Sequence, residues 1–155
     1  MSDPSPTGEV LRAPHVLDYT YTRSVGPVIG AFLTGLRQGR ILAARADEGR
    51  VVVPPTEYDP LTGRSVGELV EVGPGGVVAS WAWAAHPTAD QPLDHPFAWA
   101  LVTLDGASTS LLHVVDAGSP SAMSSGMRVR AEFRPEAERR GHLLDISSFV
   151  PEDAS

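Results

Sequence analysis

The hydrophobic pattern changes period along this chain. Between residues 28 and 37 the apolar side chains Val28, Phe32, Leu33 and Leu36 fall at i, i+4, i+5 and i+8, which is one face of a helix. Pro27 suits the first turn of that helix, Ser24 is placed to cap it, and Gly39 to stop it. Beyond Gly39 the period shortens. Residues 40–45 and 50–53 read as two short strands around an Asp47-Glu48-Gly49 turn. Apolar segments then alternate with turn signals: 69–72, 77–83, 97–104, 108–115, 126–134 and 143–151. The first long one places Val77, Ala79, Trp81 and Trp83 on a single face by strict alternation.

This succession predicts a mainly β fold: an N-terminal helix, a small ribbon, and a Greek-key barrel for which an OB-fold is the economical choice, because closure leaves no open sheet edge. The expected organisation is a Pro- and Ser-rich disordered tail over 1–18, a helix region over 19–39, a ribbon-like segment over 40–66, the barrel over 67–151, and a short tail over 152–155.

The ribbon segment has the frame of a zinc ribbon without its sulfurs. Such a ribbon needs two knuckles, each presenting two thiolates at C-x2-C spacing. Here the first knuckle is Arg45-Ala46-Asp47-Glu48-Gly49-Arg50 and the second Asp59-Pro60-Leu61-Thr62-Gly63, with Asp59 and Thr62 where cysteines would stand. Val51-Val52-Val53-Pro54-Pro55 begins the extended link. Asp47, Glu48, Glu57 and Asp59 bring carboxylates near one another, but no EF-hand spacing accompanies them. They read as turn and surface residues, with Asp59 and Thr62 bonding to turn backbone N–H groups in place of a metal. No metal and no cofactor is expected.

Composition narrows the field. The 155 residues include no cysteine, which excludes disulfides, thiolate metal sites and a Cys nucleophile. All twelve basic residues are Arg, so a Lys Schiff base or a P-loop is excluded. A formal net charge of −7 argues against nonspecific nucleic-acid binding, which depends on neutralising phosphates. The chain has no apolar run long enough to span a membrane and no signal-peptide core at its start, so a cytoplasmic location is expected.

Candidate chemistry is sparse. His95, between Asp94 and Pro96 with Asp90 nearby, would need a serine such as Ser80 or Ser110 to make a triad, and no G-x-S-x-G elbow is present. His113 lies on an apolar strand as a core or barrel-mouth residue, and His86 and His142 read as solvated. Trp81 and Trp99 read as core. Trp83 and Phe97 remain open to a partner or ligand. Arg128, Arg130 and Arg134 share a strand face by period 2, and with Arg45 and Arg50 offer charge either to solvent or to a phosphate.

Several segments together carry a family likeness: Phe32-x-x-x-Leu36-x-x-Gly39-Arg40-Ile41, then Val53-Pro54-Pro55, Glu71-Val72-Gly73-Pro74-Gly75-Gly76, Pro96-Phe97-Ala98-Trp99-Ala100, Gly126-Met127-Arg128-Val129 and Phe149-Val150-Pro151. In this order they resemble the DUF35 family, in which a helix and a rubredoxin-like zinc ribbon precede an OB-fold. The resemblance covers most of residues 19–151. It implies a non-catalytic accessory subunit of a thiolase-like or lipid-transfer-protein-like aldolase acting on acyl-CoA thioesters by retro-aldol cleavage, as in steroid side-chain degradation. The expected assembly is a heterotetramer with acyl-CoA at the interface. Partner contacts are expected at Val28, Phe32, Leu36, Val53, Tyr58 and Phe97, and ligand contacts at Arg45, Arg50, Arg128 and Arg130. No catalytic residue is expected on this chain. The alternative reading is a stand-alone acyl-CoA binding module.

Overall fold

The computed structural model describes residues 13–20, 22 and 24–152. Residues 1–12 of the tail expected over 1–18, and the last residues, 153–155, lie outside the described residues.

Helix α1 runs Pro27–Arg37 and is followed by Gly39 at φ 76°. Its N-terminus is not capped as the sequence suggests. Ser24 Oγ accepts from the Gly26 N–H at 3.3 Å, one residue short of the helix. Pro27 has no N–H to give, so the first free donors are those of Val28 and Ile29. Both go to Glu57 Oε1, at 3.0 and 3.3 Å. A carboxylate there also complements the positive end of the helix dipole. Gly26 fits this arrangement twice over: its φ is 83°, and a Cβ would collide with the Glu57 carboxylate.

Strands β1 (Ile41–Arg45) and β2 (Val51–Val52) flank a 3₁₀ turn at Asp47–Gly49. Strand β3 (Leu69–Val72) pairs antiparallel with the other edge of β1, giving a sheet in the order β2-β1-β3. The chain then passes directly through Gly73 and Pro74 into β4 (Gly75–Ala84). With β5 (Phe97–Leu104), β6 (Ser110–Val115), β7 (Arg128–Phe133) and β8 (Ile146–Pro151), it closes a barrel in the order β4-β5-β6-β8-β7. Only the β6–β8 closure is parallel. The fold is therefore mainly β: one helix among the described residues, a three-stranded sheet and a five-stranded OB-fold barrel.

Strict alternation fails in β4. Its pairing with β5 shifts between Val78 and Ser80, leaving Ala79 exposed while Val78 is fully buried. A bulge of this kind adds one residue and reverses the facing of the residues after it. Val78 therefore takes the inward place expected for Val77, and Trp81 and Trp83 still pack on the core.

A single apolar cluster runs through helix, small sheet and barrel, from Phe32 and Leu36 through Ile41 and Val53 to Val102, Leu104, Ile146 and Phe149. The edge of β2 is covered by the turn between β5 and β6. Ser108 Oγ accepts from Val51 N–H at 3.0 Å, and Thr109 Oγ1 both accepts from Val53 N–H and donates to Val53 O, at 2.8 and 2.9 Å. Among the described residues no helix is long and apolar enough to cross a membrane.

Candidate functional site

The two knuckles meet through a compact set of polar side chains. Asp59 is only 1% exposed, and Arg50 Nη2 reaches both its oxygens, at 2.7 Å to Oδ1 and 2.6 Å to Oδ2. The same carboxylate accepts from Leu61 N–H at 2.8 Å and from Asp47 N–H at 3.1 Å. Thr62 Oγ1 donates to Asp47 Oδ2 at 2.9 Å, closing the ring of contacts. Asp47 and Arg50 bracket the first turn at the same spacing at which Asp59 and Thr62 bracket the second. A cross-link made of one ion pair and several backbone bonds thus stands where a ribbon would hold its ion. The bond from Leu61 is the largest influence holding the Asp59 carboxyl below the usual carboxylate range; burial opposes it, while Arg50 and the Asp47 N–H add to it.

Zinc does not fit this donor set. A guanidinium has no lone pair to offer and its charge repels a cation. Among the described residues no three His, Asp or Glu side chains gather to hold a metal. The other two carboxylates of the segment are elsewhere: Glu57 caps α1, and Glu48 is exposed in a left-handed conformation at φ 59°.

Burial redistributes the expected contact residues. Phe32, Leu36, Val53 and Phe97 are 4%, 0%, 1% and 0% exposed, so they belong to the chain's own core rather than to a contact surface. The expectation treated an apolar stripe as available to a partner, but the stripe meets β1 and the turn at Leu143–Asp145 of the same chain instead. Val28 is half-buried. Tyr58 is 62% exposed at the second knuckle, and Leu61, which sequence reasoning passed over, is 77% exposed beside it. A second apolar pair, Leu101 and Leu112, sits directly opposed on the outer faces of β5 and β6. Their register could be found in the sequence only by fixing the hairpin between them.

The expected ligand arginines face carboxylates. Arg45 pairs with Glu68, Arg50 with Asp59, Arg128 with both Asp105 and Glu152, and Arg130 lies 3.8 Å from Glu152. The Arg128–Asp105 contact is bidentate, at 2.7 Å on each arm. These pairings oppose their use on a phosphate. Arg134 does not share their face, because β7 ends at Phe133 and Arg134 Nε donates to Leu144 O at 2.7 Å.

The histidines divide by setting. His95 holds Asp94 at Nδ1 (3.1 Å) and Asp116 at Nε2 (2.9 Å), strapping the Pro-rich loop to the end of β6. Both ring nitrogens face carboxylates and neither faces a serine hydroxyl, so no triad forms. The Asp116 bond, with Asp94 adding to it, raises the imidazole pKa. His113 is 2% exposed, edge-on to Phe149, with Nε2 3.3 Å from Leu143 O and Nδ1 unpartnered. Burial pushes its pKa down. His142 is exposed yet ordered: its Nδ1 accepts from Leu144 N–H at 3.1 Å. Trp99 is half-buried and meets the Phe97 ring edge-on.

Residues 69–134 match the family model of the ChsH2 C-terminal OB-fold domain. Among solved structures the chain is similar to one from an "Ltp2-ChsH2(DUF35) aldolase", at 21% identity and a TM-score of 0.62, covering 84% of this chain and 98% of that one. It is also similar to a protein of unknown function from the DUF35 family of Sulfolobus solfataricus, at 22% identity and a TM-score of 0.57, covering 69% of this chain and 77% of that one. A search of curated proteins finds no match.

Proposed function

We propose that this chain, whose residues 69–134 match the family model of the ChsH2 C-terminal OB-fold domain, is the non-catalytic accessory subunit of a thiolase-fold aldolase that cleaves an acyl-CoA thioester by a retro-aldol step. What supports the reading is the fold likeness to a chain from a structure described as the Ltp2-ChsH2(DUF35) aldolase, which covers 84% of this chain and so extends beyond the barrel. The state of the titratable groups supports it. His95, His113, Asp59 and Asp145 are each engaged in holding the fold.

The contact surface we assign is the tip of the second knuckle. Tyr58 and Leu61 are exposed there on a turn pinned from inside by Asp59, so apolar area is offered with little freedom left to lose on binding. Two copies of each subunit, built on a dimer of the enzyme, would complete the assembly.

Co-expression with a thiolase-fold aldolase encoded beside this chain tests the proposal. The two are expected to co-purify at equal stoichiometry, and Tyr58→Asp with Leu61→Asp to separate them while this chain stays folded. An aldolase that is soluble and fully active without this chain would sink the reading. Tight binding of acyl-CoA by the isolated chain would favour the stand-alone module instead.

A further inference from the structure

The arginines of this acidic chain fall into two groups. Arg40, Arg45, Arg50, Arg64, Arg128 and Arg130 each lie within ion-pair range of a carboxylate. Among the described residues Arg37, Arg134, Arg139 and Arg140 have no such partner, and the last three belong to the one loop that joins β7 to β8.

That loop is built rather than loose. The Asp145 carboxylate, 2% exposed, accepts the N–H groups of Arg140, Gly141 and His142 at 3.0, 2.7 and 3.1 Å. Burial alone would raise its pKa, yet these three bonds hold it below the usual carboxylate range. The arginine stems are fixed as well. Arg134 spends its Nε on Leu144 O at 2.7 Å and Arg139 its Nε on Arg134 O at 2.6 Å, which leaves the paired terminal nitrogens of each free to donate elsewhere. His142 Nδ1 is an acceptor, so its ring proton is on Nε2. Arg134, Arg140 and His142 surround a pocket of about 200 Å³, closed by Glu138, Leu144 and Asp145.

From this geometry we propose that the pocket binds a phosphate group. A guanidinium fork matches two phosphate oxygens at once, which a point charge does not. Two such forks and an imidazole N–H, all donors, line a volume that holds one phosphate group and its linking atoms, with the Arg134 fork held in place through its Nε. Asp145 is committed to backbone N–H groups. Glu138 and the ionised Asp145 both line the pocket and oppose an anion, the charge of Asp145 being met by its three backbone N–H bonds. Inorganic phosphate and the phosphate ester of a nucleotide-linked ligand share this chemistry, and the site takes either. It stands apart from the knuckle surface and does not rest on the assembly proposed above.

The test is an NMR titration of the full chain, following the His142 side chain and the amides of residues 134–145. Inorganic phosphate and adenosine 3′,5′-bisphosphate are expected to shift these signals saturably, and adenosine is not. A bisphosphate that binds much more tightly than phosphate identifies a nucleotide-linked ligand; equal affinities identify the bare anion. Arg140→Gln removes an exposed side chain with no structural partner, so its melting temperature should stay at the wild-type value while affinity falls about tenfold. Glu138→Gln should tighten binding, the opposite sign, and Arg45→Gln should leave it unchanged. An affinity left unchanged by Arg140→Gln, or no saturable shift with either phosphate, overturns the proposal.

Discussion

The ribbon and the barrel solve one problem by different means. The barrel has five strands of six to ten residues and fills their enclosed space with Val78, Val102, Leu104, Leu111, Ile146 and Phe149. Its strands hold because apolar area leaves water on closure. The ribbon has a two-residue β2 and a single bridge between Tyr58 and Ser65, with too little apolar surface at its knuckles to fix two turns. It relies on Arg50 and Asp59. The difference teaches where a cross-link is needed: it lies where chain must be ordered beyond the reach of the core. The kind of cross-link matters too. An apolar core answers to volume, whereas an ion pair answers to pH and needs both partners, since a buried carboxylate left alone is costly.

The largest effect that separates the two is expected in the barrel. Phe149→Ala, at a fully buried site, should cost about 3–5 kcal/mol in denaturant unfolding. Helix, small sheet and barrel should be lost together because they share one cluster. Arg50→Met comes next. Its expected signature is local: faster hydrogen exchange through residues 47–63 with barrel amides unchanged. Arg50→Met combined with Asp59→Leu should restore part of that protection, because the orphaned carboxylate is gone. A barrel that loosens equally in Arg50→Met would erase the distinction.

Acid should then act on the two regions in different windows. Asp59 has a folded pKa below 3.8, so its stabilising contribution is present above that value and is lost as pH falls through the depressed one. Knuckle amides should open there first. His113 acts at higher pH. Its folded pKa lies below 6.5, so the unfolded chain binds the extra proton and barrel stability declines as pH drops through 6.5. His95 has the reverse sign. Its contribution is full below 6.5 and disappears as pH rises through the raised folded value. Melting curves of His113→Leu and His95→Gln against wild type should therefore diverge in opposite directions across that range. The smallest expected effect is that of a chelator. A ribbon pinned by Arg50 and Asp59 should keep its melting temperature in EDTA, and metal analysis of the purified chain should find no stoichiometric zinc.

The sequence carried the barrel well because its strands stand out as apolar or alternating runs and its turns by Gly, Pro or Asp. The helix was equally plain from its four apolar positions. What local pattern does not hold is partnership. Phe32 and Leu36 show the same stripe whether they meet their own core or another protein. The Glu57 cap lies 29 residues from the N–H it accepts. The bulge at Ala79 leaves no mark in composition. Arg45, Arg50, Arg128 and Arg130 look alike in sequence, and only strand register decided which carboxylates would face them. The spacing of Asp59 and Thr62 was legible as a vacated ligand pair, but that Arg50 would meet Asp59, and Asp47 meet Thr62, from the other turn was not.

The Glu57 cap makes the first turn of α1 depend on the knuckle next door. If the knuckle swings away, Val28 and Ile29 lose their acceptor, and the helix frays from that end. Opening is thus shared between two segments that are far apart in the chain. Tyr58 comes directly after Glu57, so a protein that grips Tyr58 also steadies a helix it never touches, and the start of α1 becomes a built-in reporter of whether the knuckle is held.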